Sequence, residues 1–388
     1  MESAHFAFGR SLATGHKPAL DGLRGLAILM VIGFHYGRLG FGWAGVEIFF
    51  VLSGFLITSV LLADADLPVG LYLKRFYWRR LLRIFPLYYF YLGLVAAAYL
   101  LTGQPSLFGR YWPSLLTYTF NFEFLLPSYR NEYTFGHFWS LAIEEQFYLF
   151  WPLALYFLDR RRRQTVALGL VLAGPVVRAA AAAVLTMVNP NSEYVGGAIY
   201  EFSLSHIDAF SIGAFLAIRK PSAEKPAAKL FFIATIALIG CGVAANWFTR
   251  GTLAVGTSLG YPVHMMHGQE VWGYTLINLW VASLLSVVRG ENGLSLLFAW
   301  RPLAYIGQIS YGMYVYHCVI QEWLIPLLGR RAGIADFGKF VVFLAVVVVV
   351  SAASYYGFER RLLGLKGRYF RRPITAPDRA FVASATIY

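Results

Sequence analysis

The fold class predicted by this sequence is an all-α polytopic membrane protein of about ten transmembrane helices, with both termini on the cytoplasmic side. Three observations lead there. The 388 residues are 58% hydrophobic and only 14% charged, whereas soluble domains average about 45–50% apolar and about 25% charged. A globular core of this size cannot absorb that much apolar surface, so lipid is the fitting solvent. The apolar residues also gather into ten runs, each close to the roughly 20 residues that a helix needs to cross the hydrocarbon. The basic residues, finally, alternate in density between those runs, as they do when charge sets orientation.

The runs are 20–38, 43–62, 84–103, 138–158, 164–187, 201–218, 230–248, 271–289, 302–328 and 337–357. The sixth is the weakest, because it carries His206 and Asp208. With the N-terminus inside, the cytoplasmic segments collect Lys74, Arg75, Arg79, Arg80 and Arg83, then Arg160 to Arg163, then Arg219, Lys220, Lys225 and Lys229, then an arginine-rich tail. The opposite side holds few, among them Arg110, Arg130, Arg330 and Arg331. That bias implies an even number of spans in the cell (inner) membrane. The domain reading is a cytoplasmic segment at 1–17, a membrane domain at 18–360 and a basic cytoplasmic tail at 361–388. No cleavable signal pattern precedes the first run, which is expected to act as an uncleaved anchor.

The net charge of +13 does not point to nucleic acid: zinc-finger spacing, basic zippers and basic-aromatic RNA motifs are absent. The two cysteines, Cys241 and Cys318, allow no disulfide framework and no metal quartet. His264, His267 and Glu270 have H-x-x-H spacing without an assured helix, and no metal is expected. Gly-rich phosphate loops, nucleophile elbows and H-E-x-x-H are also absent. The longest outer loop, about 104–137, is rich in aromatics such as Tyr111, Trp112, Phe120 and Tyr129. They read first as interfacial anchors and second as a surface for stacking on a sugar ring.

Charged side chains in a span are expensive, so each asks for a reason. Arg24 and His35 are eleven residues apart on the first run. That is about three turns, so they share a face ~16–17 Å apart and can flank one elongated ligand. His35 and Glu47 sit at similar depth on consecutive runs, and a carboxylate beside a histidine can fix its tautomer. Glu144 and Glu145 are adjacent on the fourth run; neighbours on a helix point ~100° apart, so at most one faces a given site. Arg80 and Arg83 share a face at i and i+3. Spacing alone favours a topology signal there, although paired guanidiniums also suit phosphates. These groups do not separate an enzyme from a transporter.

The strings go further. Pro18-Ala-Leu-Asp21-Gly-Leu-Arg24 leading to His35, Gly45-Val-Glu47-Ile-Phe-Phe-Val-Leu-Ser53-Gly54, Arg79-Arg80-Leu-Leu-Arg83-Ile-Phe-Pro86 and Trp139-Ser-Leu-Ala-Ile-Glu144-Glu145-Gln stand in that order, followed by Asp208-Ala-Phe-Ser-Ile-Gly213 and Ile309-Ser-Tyr311-Gly-Met-Tyr314-Val-Tyr-His317. Together, over roughly 18–360, they resemble the membrane acyltransferase 3 family. The resemblance implies O-acylation, often O-acetylation, of a carbohydrate or glycolipid hydroxyl. Acyl-CoA (acetyl-CoA) is the expected donor and a surface polysaccharide the expected product. His35 is the expected general base, oriented by Glu144 or Glu47. Arg79, Arg80 and Arg83 are expected to hold the CoA phosphates, with Arg24 along the path. Trp139, Asp208, Tyr314 and His317 are expected on the acceptor side, with His317 the alternative base. One departure is His206, where an arginine commonly precedes the Asp-Ala step. Many members carry an extracytoplasmic hydrolase-like domain; here the chain ends soon after the last run, so transfer is expected to finish in the membrane domain or with a polysaccharide-assembly partner. The other readings are a transporter or flippase of a lipid-linked sugar, and a structural subunit of such an assembly.

Overall fold

A computed structural model describes residues 17–365, apart from 104, 127–128, 131, 220–223 and 330–335. The described residues are helical and contain no strand. The helices are α1 (Pro18–His35), α2 (Ala44–Ala63), α3 (Val69–Thr102), α4 (Pro105–Leu116), α5 (Tyr133–Gly136), α6 (Trp139–Phe157), α7 (Arg163–Val188) and α8 (Ser192–Glu201). They continue with α9 (Ile207–Ile218), α10 (Glu224–Arg250), α11 (Gln269–Val288), α12 (Gly293–Phe298), α13 (Arg301–Gln308), α14 (Ser310–Gly329), α15 (Asp336–Ser354) and α16 (Arg360–Leu363). The expected segment before residue 17, the tail beyond 365, Lys220 and the Arg330–Arg331 pair lie outside the described residues.

Among the described residues, seven helices are long and apolar enough to cross a membrane: α1, α2, α3, α7, α10, α11 and the stretch from α15 to Leu363. An eighth is gained if α8 and the segment Ser203–Ile218, bent by 67°, form one span. Seven or eight, rather than ten, thus meet the criterion. The other two expected runs are occupied by α6 and by α13 with α14. Glu144, Glu145 and Gln146 dilute α6, while His317, Gln321 and Glu322 dilute α14. The two helices that fall short are therefore ones that carry polar chemistry.

The third run also starts early. Instead of beginning near 84, α3 begins at Val69 and runs for 34 residues, about 51 Å at 1.5 Å per residue. Its basic residues are helical rather than a flanking loop. Arg75 and Arg79 reach back to Asp64 at the end of α2, at 3.4 and 3.3 Å, which fixes the α2–α3 corner.

Burial sorts the helices into a centre and a rim. In α1, α2 and α11, 67%, 72% and 61% of the apolar window is buried, against 17%, 11% and 17% in α7, α10 and the α15 stretch. The rim helices turn residues such as Met187 and Phe248 outward, as lipid-facing surfaces do. At the centre, small residues let backbones touch, the usual device where lipid gives no hydrophobic push between helices. A Cβ on Gly54 of α2 would strike the Phe210 carbonyl of α9, and one on Gly213 of α9 would strike that of Val51. Gly25 of α1 and Gly307 of α13 form a second close pair of backbones, against Leu303 O and Asp21 O.

The described part of the loop at 104–137 is folded rather than draped on the interface. Tyr111 and Phe120 are fully buried and pack on Phe135, while Trp112 remains exposed.

Candidate active site

Two cavities meet in the middle of the bundle. The smaller, about 100 Å3, is lined by Arg24 of α1, Ser53 of α2, Arg80 and Arg83 of α3, Glu144 and Tyr148 of α6, and Tyr311 and Tyr314 of α14. Arg80 lies over the Tyr148 ring at 5.3 Å, a cation–π contact that holds the guanidinium without neutralising it. Ser53 donates to Glu144 Oε1 at 2.5 Å and lies 3.1 Å from Tyr148 Oη. The strong polar signature of α2 and α6 thus converges on one wall. Glu145, one residue on, is turned away from this lining, as the ~100° step requires.

The larger cavity, about 450 Å3, is lined by His35, His137, Trp139 and Tyr314, by further aromatics including Phe124, Tyr129, Tyr133 and Tyr200, and by Glu132, Glu193 and Glu201. Among the described residues, neither Lys nor Arg lines it. Val46 and Tyr314 belong to both cavities, so they form the partition. Tyr314 donates its hydroxyl to His137 O at 2.5 Å and meets Ser140 Oγ at 2.5 Å, which pins the ring there.

At the partition stand three histidines. His35 ends α1, and its carbonyl accepts from Gln321 Nε2 at 3.1 Å and from the Tyr133 hydroxyl at 3.3 Å; these donors satisfy one of the orphan carbonyls of a helix C-terminus. His317 Nδ1 lies 2.7 Å from Tyr314 O. A carbonyl only accepts, so in the neutral ring that nitrogen carries the proton and Nε2 is left as an acceptor. His317 Nε2 is 3.0 Å from His35 Nδ1, and Val31 O is 3.1 Å from the same atom. Both neighbours accept, so His35 holds its proton on Nδ1 and offers Nε2 as a base. His137 completes the group, its ring 4.9 Å from that of His317.

Arg24, Arg80, Arg83 and Glu144 share the small cavity, whereas His35, Trp139 and Tyr314 share the large one. Several expected partnerships are not formed. Arg79 turns to Asp64 at 3.3 Å and does not line the cavity with Arg80 and Arg83, because consecutive helical residues diverge. Glu47 does not meet His35: it is fully buried beside His206, with Nδ1 at 3.0 Å, and His206 Nε2 donates to Tyr200 O at 2.6 Å. Nor does Glu144 orient His35; the histidine's ring partner is His317. Asp208 lines neither cavity. It is fully buried in a bidentate pair with Arg178, at 3.2 and 3.0 Å, and accepts from Thr275 at 2.5 Å. That closed node ties α7, α9 and α11 together.

Sequence reasoning missed His137, Cys318 and the Ser53–Tyr148 wall. His137 lay in view two residues before the Trp139 motif. The His35–His317 contact joins residues 282 apart and has no signature in spacing.

The comparisons with known proteins agree with this picture. A family model described as an acyltransferase domain matches residues 17–356. Peptidoglycan O-acetyltransferase OatA of Listeria monocytogenes is 30% identical over 81% of this chain and 50% of its own length. The candidate peptidoglycan O-acetyltransferase YrhL of Bacillus subtilis is 29% identical over 92% of this chain and 56% of its own. A candidate O-acetyltransferase of Staphylococcus aureus is 27% identical over 79% and 50%. The chain thus spans about half the length of the curated relatives it matches. No solved structure matches it. With the family model covering nearly all the described residues, the chain belongs to the membrane acyltransferase 3 family.

Proposed function

We propose that this protein is a multi-pass O-acyltransferase of the cell membrane that moves an acetyl group from cytoplasmic acetyl-CoA to a hydroxyl of a cell-wall or surface glycan. The observation that carries the reading is the pair of unlike cavities sharing Tyr314 and Val46. A thioester presented at that partition would have an arginine-lined chamber behind it and a histidine-lined, aromatic chamber ahead.

In this reading Arg80 and Arg83 hold the CoA phosphates and Arg24 steadies the pantetheine side of the donor. Forked guanidiniums suit phosphate oxygens. Glu144, anchored by Ser53, balances the charge of that chamber. His35 Nε2 takes the proton of the acceptor hydroxyl as oxygen attacks the thioester carbon. The C–O bond forms, the C–S bond breaks, and the CoA thiolate leaves toward the arginines. His317 acts through His35: its Nε2 accepts from His35 Nδ1–H and supports the imidazolium as it forms. Trp139 and the neighbouring aromatics offer apolar faces to a sugar ring. The names of the relatives make peptidoglycan the first acceptor to try. The orientation that fits has ten spans, counting α6, α8–α9 and α13–α14, with both termini inside; the small cavity then opens to the cytoplasm.

The test is acetyl transfer by purified protein from labelled acetyl-CoA to glycan oligomers, with mass spectrometry of surface glycans from cells with and without the gene. Donor consumption with no acetylated glycan would sink this reading. Movement of an unmodified lipid-linked sugar across vesicles, with no acetyl-CoA consumed, would favour a flippase instead.

A further inference from the structure

We propose that His35, His317 and Cys318 form a zinc site, completed by His137, and that zinc bound there blocks the base. The ligand atoms of the first three lie within 4.8 Å of one another. His317 Nε2 is the hub, 3.0 Å from His35 Nδ1 and 3.3 Å from Cys318 Sγ. A tetrahedral zinc with Zn–N of about 2.0–2.1 Å and Zn–S of about 2.3 Å has ligand–ligand edges of roughly 3.3–3.7 Å. Two of the three edges, 3.0 and 3.3 Å, are near that spacing before any ion is added, and the third lies within 4.8 Å.

A second observation points to a ligand. His137 is 4% exposed and neither ring nitrogen makes a hydrogen bond of good geometry, with only the backbone of Val315 and Tyr314 as nearby polar partners. Buried polar atoms without partners are rare and ask for an explanation. Its ring stands 4.9 Å from that of His317, outside the three-residue cluster, and a turn of the ring toward the cluster would supply a fourth ligand. Three imidazoles and a thiolate are a borderline-soft donor set that suits zinc over magnesium or calcium. A route exists as well: His35, His137 and Cys318 line the large cavity, where Glu132 and Glu193 draw cations and, among the described residues, no Lys or Arg repels them.

Ligation balances simply. Cys318 releases its thiol proton to solvent. His35 gives up the Nδ1 position to the metal and carries its proton on Nε2. No oxidant or reductant is needed. The same shift removes the lone pair that the proposed transfer uses, so occupied protein should not transfer acetyl groups. That inhibitory part rests on the function proposed above; the binding part does not.

The experiment uses the full chain in detergent or nanodiscs. Zn2+ is titrated against a chromophoric competitor, retained metal is counted after dialysis, and Co2+ serves as a spectroscopic probe. The expected result is one equivalent per chain, with cobalt giving a thiolate-to-metal charge-transfer band. Cys318→Ser should lose that band, and His137→Ala should weaken zinc binding by about tenfold or more. His137→Gln checks that the loss is of a ligand rather than of the fold. Zinc should inhibit transfer reversibly by chelator, and whatever transfer Cys318→Ser retains should resist zinc. No stoichiometric metal, or a cobalt band unchanged in Cys318→Ser, would overturn the site. Stoichiometric binding in protein that never transfers acetyl groups would uphold the site and fail the enzymatic reading instead.

Discussion

The two cavities differ in the sign of the ligand they favour. The small one gathers Arg24, Arg80 and Arg83 around a single carboxylate, Glu144. The large one has Glu132 and Glu193, aromatic walls and, among the described residues, neither Lys nor Arg in its lining. Low-dielectric walls focus such fields, so each chamber concentrates one charge and rejects the other. A polyanionic donor is welcome only on the first side. A hydroxyl-rich acceptor, whose protons seek carboxylate and carbonyl oxygens, fits the second. The lesson is that one helix, α1, can serve both ends: Arg24 belongs to the first chamber and His35 to the second.

Five substitutions would break or sharpen that division. The largest effect is expected for His35→Ala. Turnover should fall ~10²–10⁴-fold, while acetyl-CoA binding to the purified variant changes little. Lost donor binding with intact protein would mean that the chambers are not separate. Next comes Asp208→Asn, which concerns a carboxylate belonging to neither. Breaking a buried pair costs about 3–5 kcal/mol, so thermal melting should drop clearly. A change confined to acceptor KM, with unaltered melting, would restore Asp208 to the binding surface. Arg80→Ala and Arg83→Ala come third. Hydrogen bonds to charged groups are worth about 1.5–3 kcal/mol, so donor KM should rise roughly 10–100-fold with kcat far less affected. Equal effects on kcat and kcat/KM would instead assign these arginines to the transition state. The smallest effect is expected for Arg79→Ala. Its partner is Asp64, so donor KM should stay within about threefold; a loss matching that of Arg80→Ala would put it back in the chamber.

Much of the helix layout was legible. Hydropathy located seven spans and the bent pair because length and apolarity are local properties. The same reading misplaced the start of α3, since Lys74, Arg75 and Arg79 looked like a loop when they are the polar first half of a 34-residue helix. Depth and helical face put Arg24 and His35 on one path. Partners across helices were not legible. Glu47 and His35 share a depth, yet Glu47 turns to His206, because which faces of α1, α2 and α9 meet is decided by contacts such as Gly54 against Phe210. Asp208 looked functional for the same reason that it is structural: a buried charge must be answered, and Arg178 answers it.

The contact between His35 and His317 has a consequence for how the protein is made. Its two halves are 282 residues apart, and the backbones of α1 and α13 touch at Asp21 and Gly307. At roughly 5–20 residues per second of synthesis, the first histidine waits about 14–56 s for the second. Until then α1 sits in the bilayer without the helices that will enclose it. The proposed catalytic centre is therefore assembled after translation of most of the chain, as a product of high contact order rather than of any early helical hairpin. Any chain released before α14 emerges would hold Arg24, Arg80 and Arg83, the proposed donor side, but not the His35–His317 pair proposed as the base.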